Sequence, residues 1–394
     1  MISQKYKEML NNKSVIREIS VYANKRGQEI GYENVFDYSL GNPSVPVPQA
    51  FNDAVIDLVK NEDPIKLHGY SESHGIWEVR CAVADSLKRR FGVPYTGDDV
   101  FMTSAAAGAV AHAVRAVTVP GDEVLTFAPF FPEYNMYINE TGAILKVVPA
   151  DTSSFQINFD EFEKMLNEKT SAVLINTPNN PSGIVYSTET IDRLASILKD
   201  AEKRFGHPIY LLSDEPYREI VFGGIDAPFV AAHYDNTITC YSFSKSLSLP
   251  GERIGYLAVN PACEDAELIV HMCTQISRGI GHNCPSSLMQ LAVAKVLDIT
   301  SDVSVYETNA EILYNELTSL GFTCVKPGGT FYIFPKAPID DAVAFCKDAL
   351  KDDLCIVPAD SFGCPGYFRM AYCIKTEKVE RSLEAIRKVA SRYF

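Results

Sequence analysis

From residue 99 to residue 259 the sequence keeps one rhythm, a short apolar run followed by a longer stretch patterned for a helix. The runs are Val100-Phe101-Met102-Thr103, Glu123-Val124-Leu125-Thr126-Phe127, Ile144-Leu145-Lys146-Val147-Val148, Ser171-Ala172-Val173-Leu174-Ile175, Ile209-Tyr210-Leu211-Leu212, Thr237-Ile238-Thr239-Cys240-Tyr241 and residues 254–259. Helical stretches fall at 104–117, 131–140, about 160–166 and 188–203. Short apolar runs alternating with helices predict an α/β fold, a mostly parallel seven-stranded sheet sandwiched by helices. In such sheets ligands lie beyond the carboxyl ends of the strands, so the residues after each run are where chemistry is to be sought.

The flanks read differently. Residues 1–35 predict an amphipathic helix, with Val15, Ile16, Ile19 and Tyr22 at helical spacing. The Gly and Pro residues of Tyr38-Ser39-Leu40-Gly41-Asn42-Pro43-Ser44-Val45-Pro46 force an extended strap or a plain linker. Helices are expected at 52–60 and 76–91, with a break at 68–75. From about Cys284 the parallel rhythm stops. Helices at 286–297, 304–320, 342–350 and 376–392 mix with short strands at 322–325, 330–334, 354–357 and 367–372, which reads as a smaller α+β domain. The expected division is an N-terminal helix and strap over 1–45 joining the small domain, a large domain over 46–283 and the small domain over 284–394.

A chain of 394 residues, 46% hydrophobic, is long enough for a large core and a second domain. Its net charge of −14 with no basic run argues against a nucleic-acid surface. No apolar run nears the roughly 20 residues a membrane span needs, and Met1 to Leu10 lacks a signal core. The ten cysteines are scattered, without C-x-x-C or zinc spacing, so reduced thiols, no metal and a cytoplasmic compartment are expected.

At the strand ends, Ser242-Phe243-Ser244-Lys245 is followed eight residues later by Arg253. Two hydroxyls and a guanidinium suit a phosphate, and a lysine beside them suits a phosphorylated aldehyde held as a Schiff base, meaning pyridoxal phosphate. The same residues also read as a solvated surface pair. Ser104-Ala105-Ala106-Ala107-Gly108 offers bare N–H groups at a helix start, or merely tight packing. An aromatic in Pro129-Phe130-Phe131-Pro132-Glu133-Tyr134 could stack on a flat ring or fill core. Residues 176–183 pack three Asn, two Pro and one Gly into eight positions, a surface turn or a rigid loop aiming an Asn at a ring substituent. In Ser213-Asp214-Glu215-Pro216-Tyr217, the carboxylate could hold a protonated pyridine nitrogen or cap a helix.

Together these elements resemble the class I/II aminotransferases among fold-type I pyridoxal-phosphate enzymes, over nearly the whole chain. The resemblance is carried by Tyr70, Gly75 and Arg80 in Tyr-x₄-Gly-x₃-Val-Arg spacing and by Asn179-Asn180-Pro181-Ser182-Gly183. Asp214-Glu215-Pro216-Tyr217, Ser242 to Lys245 with Arg253-Ile254-Gly255, and a late Arg369 complete it. It implies that Lys245 bonds the cofactor and moves a proton, that Asp214 pairs with the ring nitrogen, and that Asn180 and Tyr217 hold the ring oxygen. Ser242, Ser244, Arg253 and the N–H groups of Ala106 and Ala107 are implied for the phosphate, and Phe131 for stacking. Arg369, Asn180 and the Gly41 backbone would take the substrate carboxylate. Tyr70 would reach the phosphate of a neighbouring subunit, making a homodimer with shared sites. Arg278 looks similar to the place where dicarboxylate-specific relatives carry a distal-carboxylate arginine donated across that interface, and also reads as a surface salt-bridge residue. Two positions depart from the pattern: Ala105 replaces a frequent glycine, and Pro216 replaces a common Val or Ala. The implied activity is ping-pong transfer of an amino group from an L-amino acid to a 2-oxo acid. The rivals are a lyase or decarboxylase on the same fold and a non-catalytic cofactor-sensing module.

Overall fold

The structure, a computed structural model, describes residues 2–10 and 14–394. The seven apolar runs form one sheet. Its strands are β1 (Val100–Thr103), β2 (Glu123–Phe127), β3 (Ile144–Val148), β4 (Thr170–Asn176), β5 (Tyr210–Asp214), β6 (Thr237–Ser242) and β7 (Gly255–Val259). The order across the sheet is β1-β7-β6-β5-β4-β2-β3. Only β7 runs against its neighbours, β1 and β6; the other pairs are parallel. Strands β1, β6 and β7 are buried at every position, as a sheet covered on both faces requires.

The covering helices follow from local sequence. Thr188–Phe205 starts where the Ser187 side chain accepts from Thr190 N and stops at Gly206, which takes the left-handed conformation at φ 79°. Its Ile191, Leu194 and Leu198 are fully buried, each contributing about 1.5–3 kcal/mol. On the other face, Ala105–Val117 sets Ala109, Val110, Ala113 and Val114 against β-strand residues such as Leu257 and Cys240. Its small side chains let the helix axis come close to the sheet.

The sequence reading places no element at Ala266–Gly279, where a helix buries Ile269, Val270 and Cys273. The single N-terminal helix expected over 1–35 is instead Gln4–Met9 and Val15–Ile30; residues 1 and 11–13 lie outside the described residues. The helix expected over 131–140 is shorter, Tyr134–Asn139. Residues 322–325 do not form the expected strand. Thr323 O accepts from Lys336 N at 2.8 Å, but Pro335 in the facing segment has no N–H to continue a ladder.

Toward the C-terminus, Leu313, Phe331, Phe345, Phe368 and Tyr372 pack together in a core that also takes in Tyr38, Tyr217, Ile220 and Phe222. The sheet of this C-terminal unit is antiparallel, with Phe368–Ala371 between Val357–Pro358 and Tyr332–Ile333. Phe36–Asp37, just before the strap, pairs in parallel with Leu354–Cys355. The helix Ser287–Ala294 packs instead with Phe51, Val79 and Met102 of the larger unit. No helix among the described residues is long and apolar enough to cross a membrane.

Candidate active site

Three parallel strands end side by side. Asn176, the last residue of β4, is opposite Asp214, the last of β5, and Asp214 is opposite Cys240 of β6. β6 ends at Ser242, whose side chain accepts from Ser244 N at 3.1 Å and starts the short helix Phe243–Ser246 that carries Lys245. The sheet register therefore places Asp214 and Lys245 at one edge of one crevice.

Asp214 is buried. Its Oδ2 accepts from the Tyr134 hydroxyl at 2.5 Å, and its Oδ1 has no partner. Burial pushes its carboxyl up to about 7, only partly offset by the Tyr134 bond. Asn176 Nδ2 donates to Asp214 O at 2.8 Å, while its Oδ1 accepts from Asn180 N at 2.6 Å. One side chain thus ties the Asp214 backbone to the following Asn loop. Burial also brings the Lys245 ammonium down to about 8, and Nζ donates to Gly41 O of the strap at 2.7 Å.

On one side of Lys245 the cavity wall carries two serine hydroxyls and a guanidinium. Ser242 Oγ donates to Ser244 Oγ at 2.7 Å, and Arg253 uses Nη1 on Pro250 O at 2.9 Å. The helix start at Ala105 faces them. Ala105 adopts φ +63°, the conformation a glycine would take without cost, so the departure noted in the sequence leaves the backbone path intact. Gly255 makes this approach possible: a Cβ there would sit 2.9 Å from Ala105 Cα and overlap Tyr241 O.

On the other side is Arg369, 2% exposed, with burial holding its guanidinium below its usual range. Nη1 donates to Asn180 Oδ1 at 3.0 Å and Nη2 to Ser39 O at 2.5 Å, while Nε is unpartnered. The guanidinium lies 4.6 Å over the ring of Tyr332. The Tyr332 hydroxyl is 3.0 Å from that of Tyr217.

All of this lines one cavity of about 280 Å³, close to the lower end of the ~300–1,000 Å³ usual for small-molecule sites. Gly41, Ala106, Ala107, Phe131, Asn180 and Asp214 are in its wall, as are Tyr217, Ser242, Ser244, Lys245, Arg253 and Arg369. Tyr70 and Arg278 are not; both are exposed, and Arg278 Nη1 donates to Gln275 Oε1 at 3.3 Å. Tyr134 and Asn176 lie in stretches the sequence marks but are not singled out there, and Tyr332, Ile16 and Leu40, which also line the cavity, are given no site role. Asn176 was signalled by being the last polar residue of a strand; nothing in sequence spacing links Tyr332 to Tyr217.

The donor set fits pyridoxal phosphate. The unpartnered Asp214 Oδ1 offers a buried acceptor for a ring N–H, and the hydroxyls, Arg253 and the helix start offer donors for a phosphate. A flat ring between them would have Phe131, itself edge-on to Tyr134, beside it.

Comparison with known proteins agrees in family and in fold. Residues 33–386 match the family described as aminotransferase class I and II. The crystal structure of an amino transferase from Eubacterium rectale is 45% identical, with a TM-score of 0.96, covering 100% of this chain and 99% of that one. An aspartate aminotransferase of Thermotoga maritima is 31% identical over 90% of this chain and 91% of its own. An aromatic-amino-acid aminotransferase of Thermococcus litoralis is 29% identical over 91% and 92%.

Proposed function

The chain belongs to the class I and II aminotransferases and depends on pyridoxal phosphate; from that premise we propose that it moves the amino group of aspartate or glutamate to a 2-oxo acid such as 2-oxoglutarate, by a ping-pong cycle centred on Lys245. When bound, the cofactor supplies an aldehyde that an amine can occupy and a ring that accepts electrons from the substrate Cα. The observation that carries the reading is a single cavity holding Lys245 between an unpartnered carboxylate oxygen of Asp214 and the half-used guanidinium of Arg369.

Each residue then has a task. Arg253, Ser242, Ser244 and the N–H groups of Ala106 and Ala107 hold the phosphate. Asp214 accepts from the ring N–H, and that cation returns its carboxyl to the ionised form. Asn180 and Tyr217 donate to the ring oxygen, and Phe131 covers one ring face. Arg369 forks the substrate α-carboxylate, assisted by Asn180 and the Gly41 N–H. Lys245 Nζ would take the Cα proton of the bound substrate and hold it for return. Its titration near 8 keeps a useful fraction neutral around physiological pH, which a base requires.

A second copy completes the site. Tyr70, fully exposed, lies in the same stretch as the exposed Ile65 and Trp77, as expected of a covered face. In a cytoplasmic homodimer Tyr70 would reach the other copy's phosphate and Arg278 a distal carboxylate. A second reading concerns the donor: Ile16 and Leu40 line the cavity, and these apolar walls favour uncharged side chains. Borohydride reduction of cofactor-loaded protein should tag the peptide containing Lys245; a tag elsewhere overturns the assignment. In an amino-donor panel with 2-oxoglutarate, Arg278→Ala should weaken dicarboxylic donors alone. An equal loss with aromatic donors would favour the apolar reading.

A further inference from the structure

Tyr332 has no role in the scheme above, yet it is buried in the cavity wall at the junction of three groups that do. Its strand pairs with Phe368–Ala371 so that Tyr332 is opposite Ala371, putting it on the same sheet face as Arg369, its diagonal neighbour two residues along. That register lays the Arg369 guanidinium over its ring at 4.6 Å. Its hydroxyl meets the Tyr217 hydroxyl at 3.0 Å. The strap closes on the same hydroxyl from the other side, since a Cβ on Gly41 would overlap it.

A phenol carries one proton, so in this pair one hydroxyl donates and the other accepts. If Tyr217 donates to Tyr332, it has nothing left for a ring oxygen. The charged groups facing the pair are Arg369 over Tyr332, Lys245 5.4 Å over the neighbouring Phe331, and the carboxyl of Asp214 near Tyr217. The Cys373 thiol, which burial keeps neutral, also faces Tyr332. A cation on the face of the Tyr332 ring makes its O–H the better donor of the two. We infer that Tyr332 is a positioning residue whose hydroxyl donates to Tyr217, leaving the Tyr217 proton free for the ring oxygen of the bound cofactor. The inference rests on the reading of Tyr217 and Lys245 given above. The chain of bonds from Tyr332 through Tyr217 to that oxygen polarises each link and strengthens the last.

The test is the pH titration of the absorbance of cofactor held at Lys245. A donor at the ring oxygen stabilises its negative charge and weakens its hold on the proton at Nζ, so weakening the donor raises the midpoint. Tyr217→Phe should raise it by about one pH unit and Tyr332→Phe by about 0.5. In the Tyr217→Phe background, Tyr332→Phe should add nothing. Placing 3-fluorotyrosine at position 332, a stronger donor of nearly the same shape, should lower the midpoint, which a packing role would not do. An unchanged midpoint in Tyr332→Phe, an equal shift in both backgrounds, or a rise in KM alone overturns the inference. If the unaltered protein shows no such absorbance, the reading of Lys245 fails first, and the two failures are therefore distinguishable.

Discussion

The floor and the roof of the cavity are built by different means. The floor hangs on neighbouring strand ends: Asn176 to Asp214 spans 38 residues, Asn176 to Asn180 four, and Ser242 to Ser244 two. The roof is tied by contacts across the chain: Arg369 to Ser39 spans 330 residues, Lys245 to Gly41 spans 204 and Tyr217 to Tyr332 spans 115. Floor groups are fixed by sheet register, and they carry the perturbed titrations of Asp214 and Lys245. Roof groups are fixed by the C-terminal unit and the strap meeting correctly. On the proposed reading, bond-breaking chemistry is mounted on adjoining strand ends, and grip on the substrate on contacts made across the chain.

The comparison can be broken at its strongest point. Lys245→Ala removes the floor's amine, and turnover should drop at least about 10⁴-fold in single-turnover assays with the fold intact by circular dichroism. A modest loss would mean that the floor does not do the chemistry. Asp214→Asn tests whether the floor needs its cofactor. An acid raised from 3.8 to about 7 gives stability that is complete below 3.8 and lost as pH rises through about 7. Cofactor-free Asp214→Asn should therefore gain about 3–4 kcal/mol over the unaltered chain between pH 4 and pH 8. Parallel melts across that range would refute the buried charge.

Arg369→Lys tests the roof. A point charge replaces a planar fork, so kcat/KM should fall about 100-fold, mostly in KM, with the bound-cofactor absorbance unchanged. A changed absorbance would mean that roof and floor are not separable. The smallest effect is expected at Ala105→Gly, which relieves a left-handed alanine and should stabilise the protein by up to about 1 kcal/mol in denaturant titration.

The same division decides what was legible in the sequence. The strands of the large sheet, the helix Thr188–Phe205 and the strand-end residues Asp214, Ser242 and Lys245 are visible because periodicity and motif are local signals. The Tyr134 bond to Asp214 and the stacking of Arg369 on Tyr332 are not visible, because they depend on where a turn or a second sheet carries a side chain. Residues 322–325 show the limit of pattern reading. Phe322 is buried as a strand residue would be, but a proline in the facing segment prevents the ladder.

The parallel pairing of Phe36–Asp37 with Leu354–Cys355 sets an order of events during biosynthesis. At roughly 5–20 residues per second, the early segment waits on the order of 15–60 s before its partner leaves the ribosome. Until then Tyr38, buried in the finished protein, lacks the Cys355 carbonyl and the Ser382 hydroxyl that it bonds. A nascent chain stalled beyond the large sheet should therefore recruit holdase chaperones, even though much of what it exposes has already folded.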